Sequence, residues 1–327
     1  MDLPVALDAM GGDFAPRETV AGALLARKAG VAVVLVGDEA RLREELAAQG
    51  GELPVVHAAD VIGMHDQATE VRRRRQASIN VAMRLVKEGE AGAAVSMGHS
   101  GATMAAALFT LGRVPGIERP AILAEIPSRA PSGRVHLIDA GANADVRPQH
   151  LVQFANMGAA YAKRMSGVQR ARVGLLSIGE EPGKGNQLVL ETHPLLADSE
   201  LDFVGNVEGR DVLADAADVV VTDGFTGNVV LKLAEGEARI LFGWIKEALS
   251  GSLKAKLGAL LVKDALRELA ARMDPAEYGA MPLLGVRGPA FIGHGASDRR
   301  AVMNALLRAR RMAASGLVEA LGAAPRP

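Results

Sequence analysis

The 327-residue chain has no cysteine, which removes disulfides, thiolate metal ligands and a cysteine nucleophile from consideration. Aromatic residues make up 3% of it, with one tryptophan, too few for a base-stacking surface. Neither sign of charge dominates. With 37 Lys and Arg against 38 Asp and Glu, the net charge is −1, so nothing draws the whole molecule to nucleic acid, and a polyanion or membrane contact has to come from a local patch. No uninterrupted apolar run approaches the ~18 residues of a membrane span. The opening Met1-Asp2-Leu3-Pro4 has no basic region followed by an apolar stretch, so a cytoplasmic location is expected.

Against these absences stand 37 glycines and a hydrophobic content of 49%, enough to bury a large core. Runs such as Val31-Ala32-Val33-Val34-Leu35-Val36, Arg172-Val173-Gly174-Leu175-Leu176-Ser177 and Asp218-Val219-Val220-Val221-Thr222 are apolar throughout, as strands covered on both faces are. Helical stretches separate them, over 16–28, 39–49, 78–88, 101–112, 148–165 and 187–197. The alternation predicts a three-layer α/β/α sandwich around a Rossmann-like, mostly parallel sheet, with 1–327 forming one catalytic α/β domain. Between 226 and 273 no strand is expected. Two helical patterns meet there at Ser250-Gly251-Ser252, predicting a projecting helical hairpin. Past its tip, Leu253, Leu257, Leu260 and Leu261 make an apolar stripe beside Lys254, Lys256 and Lys263, with Trp244 just before it.

Six apolar runs end in glycine-containing polar loops. They are Asp8 to Pro16, Ser96 to Gly101, Asp139 to Asn143, Ile178 to Asn186, Asp223 to Asn228 and Gly293 to Gly295. In an open parallel sheet the strand ends share one edge, so the expectation is a single site built from all six. Gly11 and Gly12 let backbone approach an anion, or simply make a tight turn before Pro16. Gly98-His99-Ser100-Gly101 opens a helix whose free N–H groups suit a phosphate, with Ser100 as an extra donor. Gly179 to Lys184 is no Walker loop, because the glycine spacing is short and Gly185 stands where Ser or Thr is required. Lys184, flanked by glycines, remains a candidate anion ligand. Asp8, Asp13, Asp139 and Asp223 stand at or just beyond strand ends, where they can act as bases, ligate a cation, or accept backbone N–H bonds that shape the loops. Arg72 to Arg75 is a basic run, either a solvated helix start or a contact for an acidic partner.

Taken together, these segments resemble the acyl-ACP:phosphate acyltransferase (PlsX) family of bacterial phospholipid synthesis over nearly the whole chain. The likeness rests on Asp8 to Pro16, Leu85 to Gly89, Val95-Ser96 with Gly98 and Gly101, Gly116-Ile117-Glu118-Arg119-Pro120, Asp139 with Gly141 to Asn143, Ile178 to Glu180, Asp223 to Asn228 and His294-Gly295. Two positions depart: the family's Gly-Asn-Thr-Gly is here Gly98-His99-Ser100-Gly101, and Gln76 replaces an aspartate after the basic run. The resemblance implies that inorganic phosphate attacks the thioester of a long-chain acyl group on acyl carrier protein, giving acyl phosphate. It implies Lys184, Asn228, Ser100 and His99 as catalytic candidates. Asp8, Gly11, Gly12, Asp13, Ser96, Gly98, Gly101, Asp139, Asn143, Glu180, Asp223, Thr226, Gly227 and His294 are the substrate-binding candidates, and no metal ligand set or cofactor is expected. It further implies a homodimer held peripherally at the inner face of the cell membrane. There the product would pass to a membrane-bound glycerol-phosphate acyltransferase, with the 253–261 stripe facing membrane, partner subunit or both. The competing readings are a phosphate acetyltransferase-like enzyme using acyl-CoA, a metal-dependent decarboxylating dehydrogenase, and a non-catalytic scaffold for carrier protein or membrane.

Overall fold

A computed structural model describes residues 3–323, so Met1 and Asp2 of the opening segment lie outside the described residues. The strands are β1 Val5–Asp8, β2 Val33–Gly37, β3 Val55–His57, β4 Ala93–Ser96, β5 Ala121–Pro127, β6 Arg134–Ile138, β7 Arg172–Ser177, β8 Asp202–Glu208, β9 Val219–Val221, β10 Ala280–Leu284 and β11 Ala290–Gly293. They form one 11-stranded sheet in the order β3-β2-β1-β4-β11-β10-β5-β6-β9-β7-β8. Every residue of β1, β2, β4, β9 and β11 is buried, because helices cover both faces. The helices are α1 Arg17–Lys28, α2 Glu39–Ala48, α3 Ser78–Lys87, α4 Ser100–Thr110, α5 Pro148–Met165, α6 Gln187–Ala197, α7 Gly224–Ser250, α8 Leu253–Leu261, α9 Lys263–Met273, α10 Arg299–Ala314 and α11 Leu317–Ala323. One apolar layer centres on Leu7, Leu35, Phe154 and Phe291, and the other on Val36, Met83, Leu137 and Ile292.

The sheet corrects one expectation. β1, β2, β3, β4 and β11 run parallel, but β10 is antiparallel to β11, β5 to β10, and β6 to β5. An odd number of antiparallel pairings reverses polarity, and β9, β7 and β8 then continue parallel to β6. The polar loops after β1, β4 and β11 therefore share one rim, and those after β6, β9 and β7 share the opposite rim. Within one chain the six loops make two clusters of three, not one.

Caps define where the helices begin. Side chains of Asp38, His99, Asn186, Asp223, Ser252 and Asp298 accept N–H bonds from the first turns of α2, α4, α6, α7, α8 and α10. Helices α1 and α10 are tied by Glu18, whose carboxylate accepts from the Arg299 guanidinium at 2.7 and 2.9 Å and from its backbone N–H at 3.0 Å. The Arg299 hydrogen bonds hold its carboxyl at about 2, against an ordinary 4.5. The folded-state pKa is depressed, so this contribution to stability is complete above about 4.5 and is lost as pH falls toward 2. The Tm difference between the wild type and Glu18→Gln, followed by calorimetry across that window, is expected to shrink with falling pH. A constant difference would remove the pair from acid stability.

The long α7 buries only Gly224, Gly227 and Leu231, and neither α8 nor α9 buries any residue. Helix α7 ends at Ser250 and α8 begins at Leu253, and a second break at Val262 separates α8 from α9.

Candidate functional site

On the first rim the loops lock onto one another. Buried Asp8 accepts from the Ser96 hydroxyl at 2.7 Å and from the Met10 N–H, while Ser96 Oγ accepts from the Gly98 N–H at 3.0 Å. Burial pushes the Asp8 carboxyl up from its ordinary value, against the pull of these hydrogen bonds. A Cβ on Gly11 would stand 2.6 Å from Asp8 Oδ2 and 2.9 Å from Ser96 Oγ. The glycine is thus required by loop-to-loop contact, whether or not a ligand is present. Gly12 has φ +109°, and the N–H of Asp13 donates to the carbonyl of Gly295 at 2.8 Å, joining the first and last loops. His294 is exposed and accepts from the Ala296 N–H, which closes its own turn.

His99 takes the role that an asparagine would fill. Its Nδ1 accepts from the Ala102 N–H at 3.1 Å and caps α4, so the departure at position 99 replaces one capping acceptor with another. Ser100 is the first residue of α4 and exposed, and Gly101 follows it against the His99 ring.

On the second rim Asp139 is the hub. Its Oδ1 accepts from the N–H groups of Ile122 (3.0 Å), Gly141 (3.2 Å) and Ala142 (2.9 Å), and its Oδ2 from the Asn143 N–H (2.7 Å) and Nδ2 (2.9 Å). Burial drives its carboxyl upward, opposed by those donors. Asn143 also reaches the Pro120 carbonyl at 2.7 Å. The start of α7 lies directly on this loop: Gly224 donates to the Asn143 carbonyl at 2.8 Å, and a Cβ on Gly227 would clash with the Asp139 carbonyl. Asp223 caps α7 through the Thr226 N–H and hydroxyl, so Asp223 and Thr226 hold the helix start. The two rims thus divide the four candidate carboxylates, and Asp8, Asp139 and Asp223 are taken up in holding loops.

What this rim leaves unspent is Lys184 and Asn228. Both are exposed, and among the described residues neither side chain makes a hydrogen bond or ion pair. Asn228 stands beside Gly141, and Lys184 folds over Gly179, where a Cβ would lie 2.8 Å from its Cγ. Glu180 is exposed and approaches Arg210 at 3.8 Å.

Helix α4 links the two rims. Its 11 residues span about 16 Å, its N-terminus on the first rim and its later turns facing the Asp139 to Asn143 loop. Between them lies a cavity of about 790 Å3, walled on one side by Met104, Leu108 and Phe109 and on the other by Arg113, Arg119 and Arg147, with Asn143 at its border. Arg113 donates to the Glu118 carbonyl at 2.6 Å, and Arg147 pairs with the Glu118 carboxylate. His150 accepts from the Arg147 N–H at Nδ1, which leaves Nε2–H to donate to Glu118 at 3.1 Å. The His150 hydrogen bond and the Arg147 charge hold Glu118 below the usual carboxylate range. Arg119 has no such partner among the described residues. Nothing in the sequence pattern singles out these arginines, although Arg119 lies in the Gly116 to Pro120 motif.

A family model described as fatty acid synthesis protein matches residues 3–320. A phosphate acyltransferase of Thermus thermophilus is 64% identical over 315 residues, covering 96% of each chain. The chain belongs to this family, the phosphate acyltransferases. Another member, from Deinococcus radiodurans, is 58% identical over 281 residues, 84% of this chain and 78% of that protein. The family makes the chain an acyltransferase of lipid synthesis that uses phosphate as acceptor. In fold it is similar to a phosphotransacetylase from Streptococcus pyogenes, with TM-score 0.62, 18% identity and coverage of 96% and 94%. It is also similar to a 4-hydroxythreonine-4-phosphate dehydrogenase from Klebsiella pneumoniae, with TM-score 0.55, 14% identity and coverage of 95% and 99%. No described helix is long and apolar enough to cross a membrane.

Proposed function

We propose that this phosphate acyltransferase takes its acyl group as the thioester of acyl carrier protein and releases it as acyl phosphate. A phosphate oxygen attacks the carbonyl carbon, the tetrahedral intermediate expels the carrier thiolate as the C–S bond breaks, and the thiolate takes a proton from water. Neither partner needs strong activation, since phosphate is already anionic and a thiol with pKa about 8.5 leaves readily. The protein's work is to position phosphate, offset its charge and stabilise the oxyanion.

The observation that carries this reading is the second rim, where the ammonium of Lys184 stands unspent over Gly179 and the amide of Asn228 stands unspent beside the loop that Asp139 holds through its hydrogen bonds. Lys184 and Asn228 are assigned to phosphate and oxyanion; Asn143, Asp223, Thr226 and Gly227 shape the loop. On the first rim, Gly98 and Gly101, with Ser96, His99 and Ser100, shape the start of α4, and Gly11 and Gly12 admit close packing of the loops. Lys184→Ala is expected to lower acyl phosphate formation by roughly a hundredfold with an unchanged circular dichroism spectrum. Near-normal turnover would take Lys184 out of this role. The reaction itself is tested by incubating protein, acyl carrier thioester and phosphate and trapping the product with hydroxylamine. The phosphotransacetylase fold makes acyl-CoA the donor to run in parallel, and hydroxamate formed from CoA alone would overturn the carrier assignment.

The chain is proposed to act as one catalytic unit, 1–327, with 226–273 as an appendage serving attachment. Leu253, Leu257, Leu260 and Leu261 are 66–88% exposed, beside Lys254 and Lys256. Burying a leucine is worth about 1.5–3 kcal/mol, so such a stripe suffices for reversible binding to an anionic bilayer, from which acyl phosphate would pass to a membrane-bound glycerol-phosphate acyltransferase. A homodimer is part of the same proposal. Leu257→Glu is expected to abolish liposome flotation while the dimer keeps its mass in light scattering. Dissociation to monomers would instead assign the stripe to the partner subunit.

A further inference from the structure

The cavity beside α4 combines two chemistries that no single small ion or plain hydrocarbon uses. One wall is alkyl and aromatic: Met104 and Leu108 stand one helical turn apart, and the neighbouring Phe109 is 53% exposed. The rest of the lining sets Arg113, Arg119 and Arg147 against the carboxylates of Glu118 and Asp145, so positive charge is in excess. Of the three guanidiniums two are engaged around Glu118, and only Arg119 keeps its full fork of donors. Arg72, outside the lining, stacks on Phe109, its guanidinium carbon 4.2 Å from the centre of the ring. A volume of about 790 Å3 is in the range of whole-ligand sites, far more than a bare phosphate fills. A planar guanidinium matches phosphate oxygens in pairs.

We infer that this cavity is a subsite for a phosphate-headed amphiphile, the acyl phosphate once it has left Lys184 and Asn228, with the alkyl chain along Met104 and Leu108 toward Phe109 and the phosphate on Arg119. The inference rests on the acyl-transfer reading for the identity of the ligand. Asn143 ties the subsite to that reading, since it borders the cavity and is bound by Asp139 in the loop of the second rim. The chemistry so assembled recognises a long chain and an anionic head together, which sets chain-length preference at this wall.

Dodecylphosphonate and butylphosphonate, which keep chain and head but cannot transfer an acyl group, are titrated calorimetrically into the full chain. Expected are tighter binding of the longer chain, a loss of tenfold or more for both in Arg119→Ala with partial recovery in Arg119→Lys, and a weakened chain-length dependence in Phe109→Asp. Both altered side chains are exposed, so these variants keep the fold. Unchanged binding in Arg119→Ala overturns the inference, as does dodecylphosphonate binding that is lost only in Leu257→Glu, which would place the chain on the hairpin. Competition by inorganic phosphate supports the assignment. Displacement by pantetheine 4′-phosphate without displacement by inorganic phosphate would put the carrier's phosphate on Arg119 and overturn it. Phosphonate binding with the expected Arg119 dependence, but no hydroxamate from the wild type, sustains the subsite and counts against the acyl-transfer reading. Hydroxamate formation with Arg119-independent phosphonate binding does the reverse.

Discussion

Asp139→Ala is expected to lower Tm by roughly 5–10 °C and to remove acyl transfer altogether. Five donors converge on this one buried carboxylate, four from the backbone and one from Asn143, most of them in a half-buried loop. Removing the acceptor leaves them unsatisfied away from water, at about 1–3 kcal/mol for each that finds no substitute. The loop cannot repair itself by shifting, because Gly224 and Gly227 already press against it. Asp139→Asn is expected to do little better, since its amide would turn donors toward the Asn143 N–H and Nδ2. Calorimetry together with the hydroxamate assay checks both, and a stable, active Asp139→Ala would show that the second rim does not depend on this hub.

The second large effect lies away from either rim. Glu125 on β5 accepts from Arg308 of α10 at 2.5 Å, from the Tyr161 hydroxyl of α5 at 2.8 Å and from Arg134 at 2.7 Å. Burial alone would raise its carboxyl, but Arg308, with His136 and Arg134, brings it below the ordinary value. Glu125→Ala strands a buried guanidinium and is expected to cost about 3–5 kcal/mol. Adding Arg308→Met to Glu125→Leu removes the stranded charge and is expected to recover much of that loss. Urea unfolding of the single and double variants measures it, and a double variant as unstable as the sum of the singles would mean that the charges do not act as a pair.

Much of this architecture is legible in the sequence. The helices over 148–165 and 187–197 fall where periodicity places them, and Ser250-Gly251-Ser252 marks the hairpin tip because glycine between capping residues stops a helix. Each polar loop also follows its strand as read. Strand direction is different: an apolar run such as Leu283-Leu284 packs equally well either way up, and only its partners decide. Hence the reversal across β10, and with it the division of the loops, is invisible in any one segment. The gathering of Arg113, Arg119 and Arg147 is invisible for a related reason. They are exposed residues scattered along 113–147, and only the folding of that stretch against α4 brings them to one wall.

The strand order also bears on how the chain is made. The two strands at the centre of the sheet, β10 and β11, are the last to leave the ribosome, yet they alone join β4 to β5. Until residue 293 has emerged, the nascent chain holds two half-sheets, each with an open apolar edge waiting for a strand that does not yet exist. Folding therefore closes late and from the middle, through contacts between distant parts of the chain. A chain broken off between Met273 and Ala280 would carry nine of the eleven strands and the whole second rim, yet would lack both the last loop of the first rim and the two strands that join the halves of the sheet.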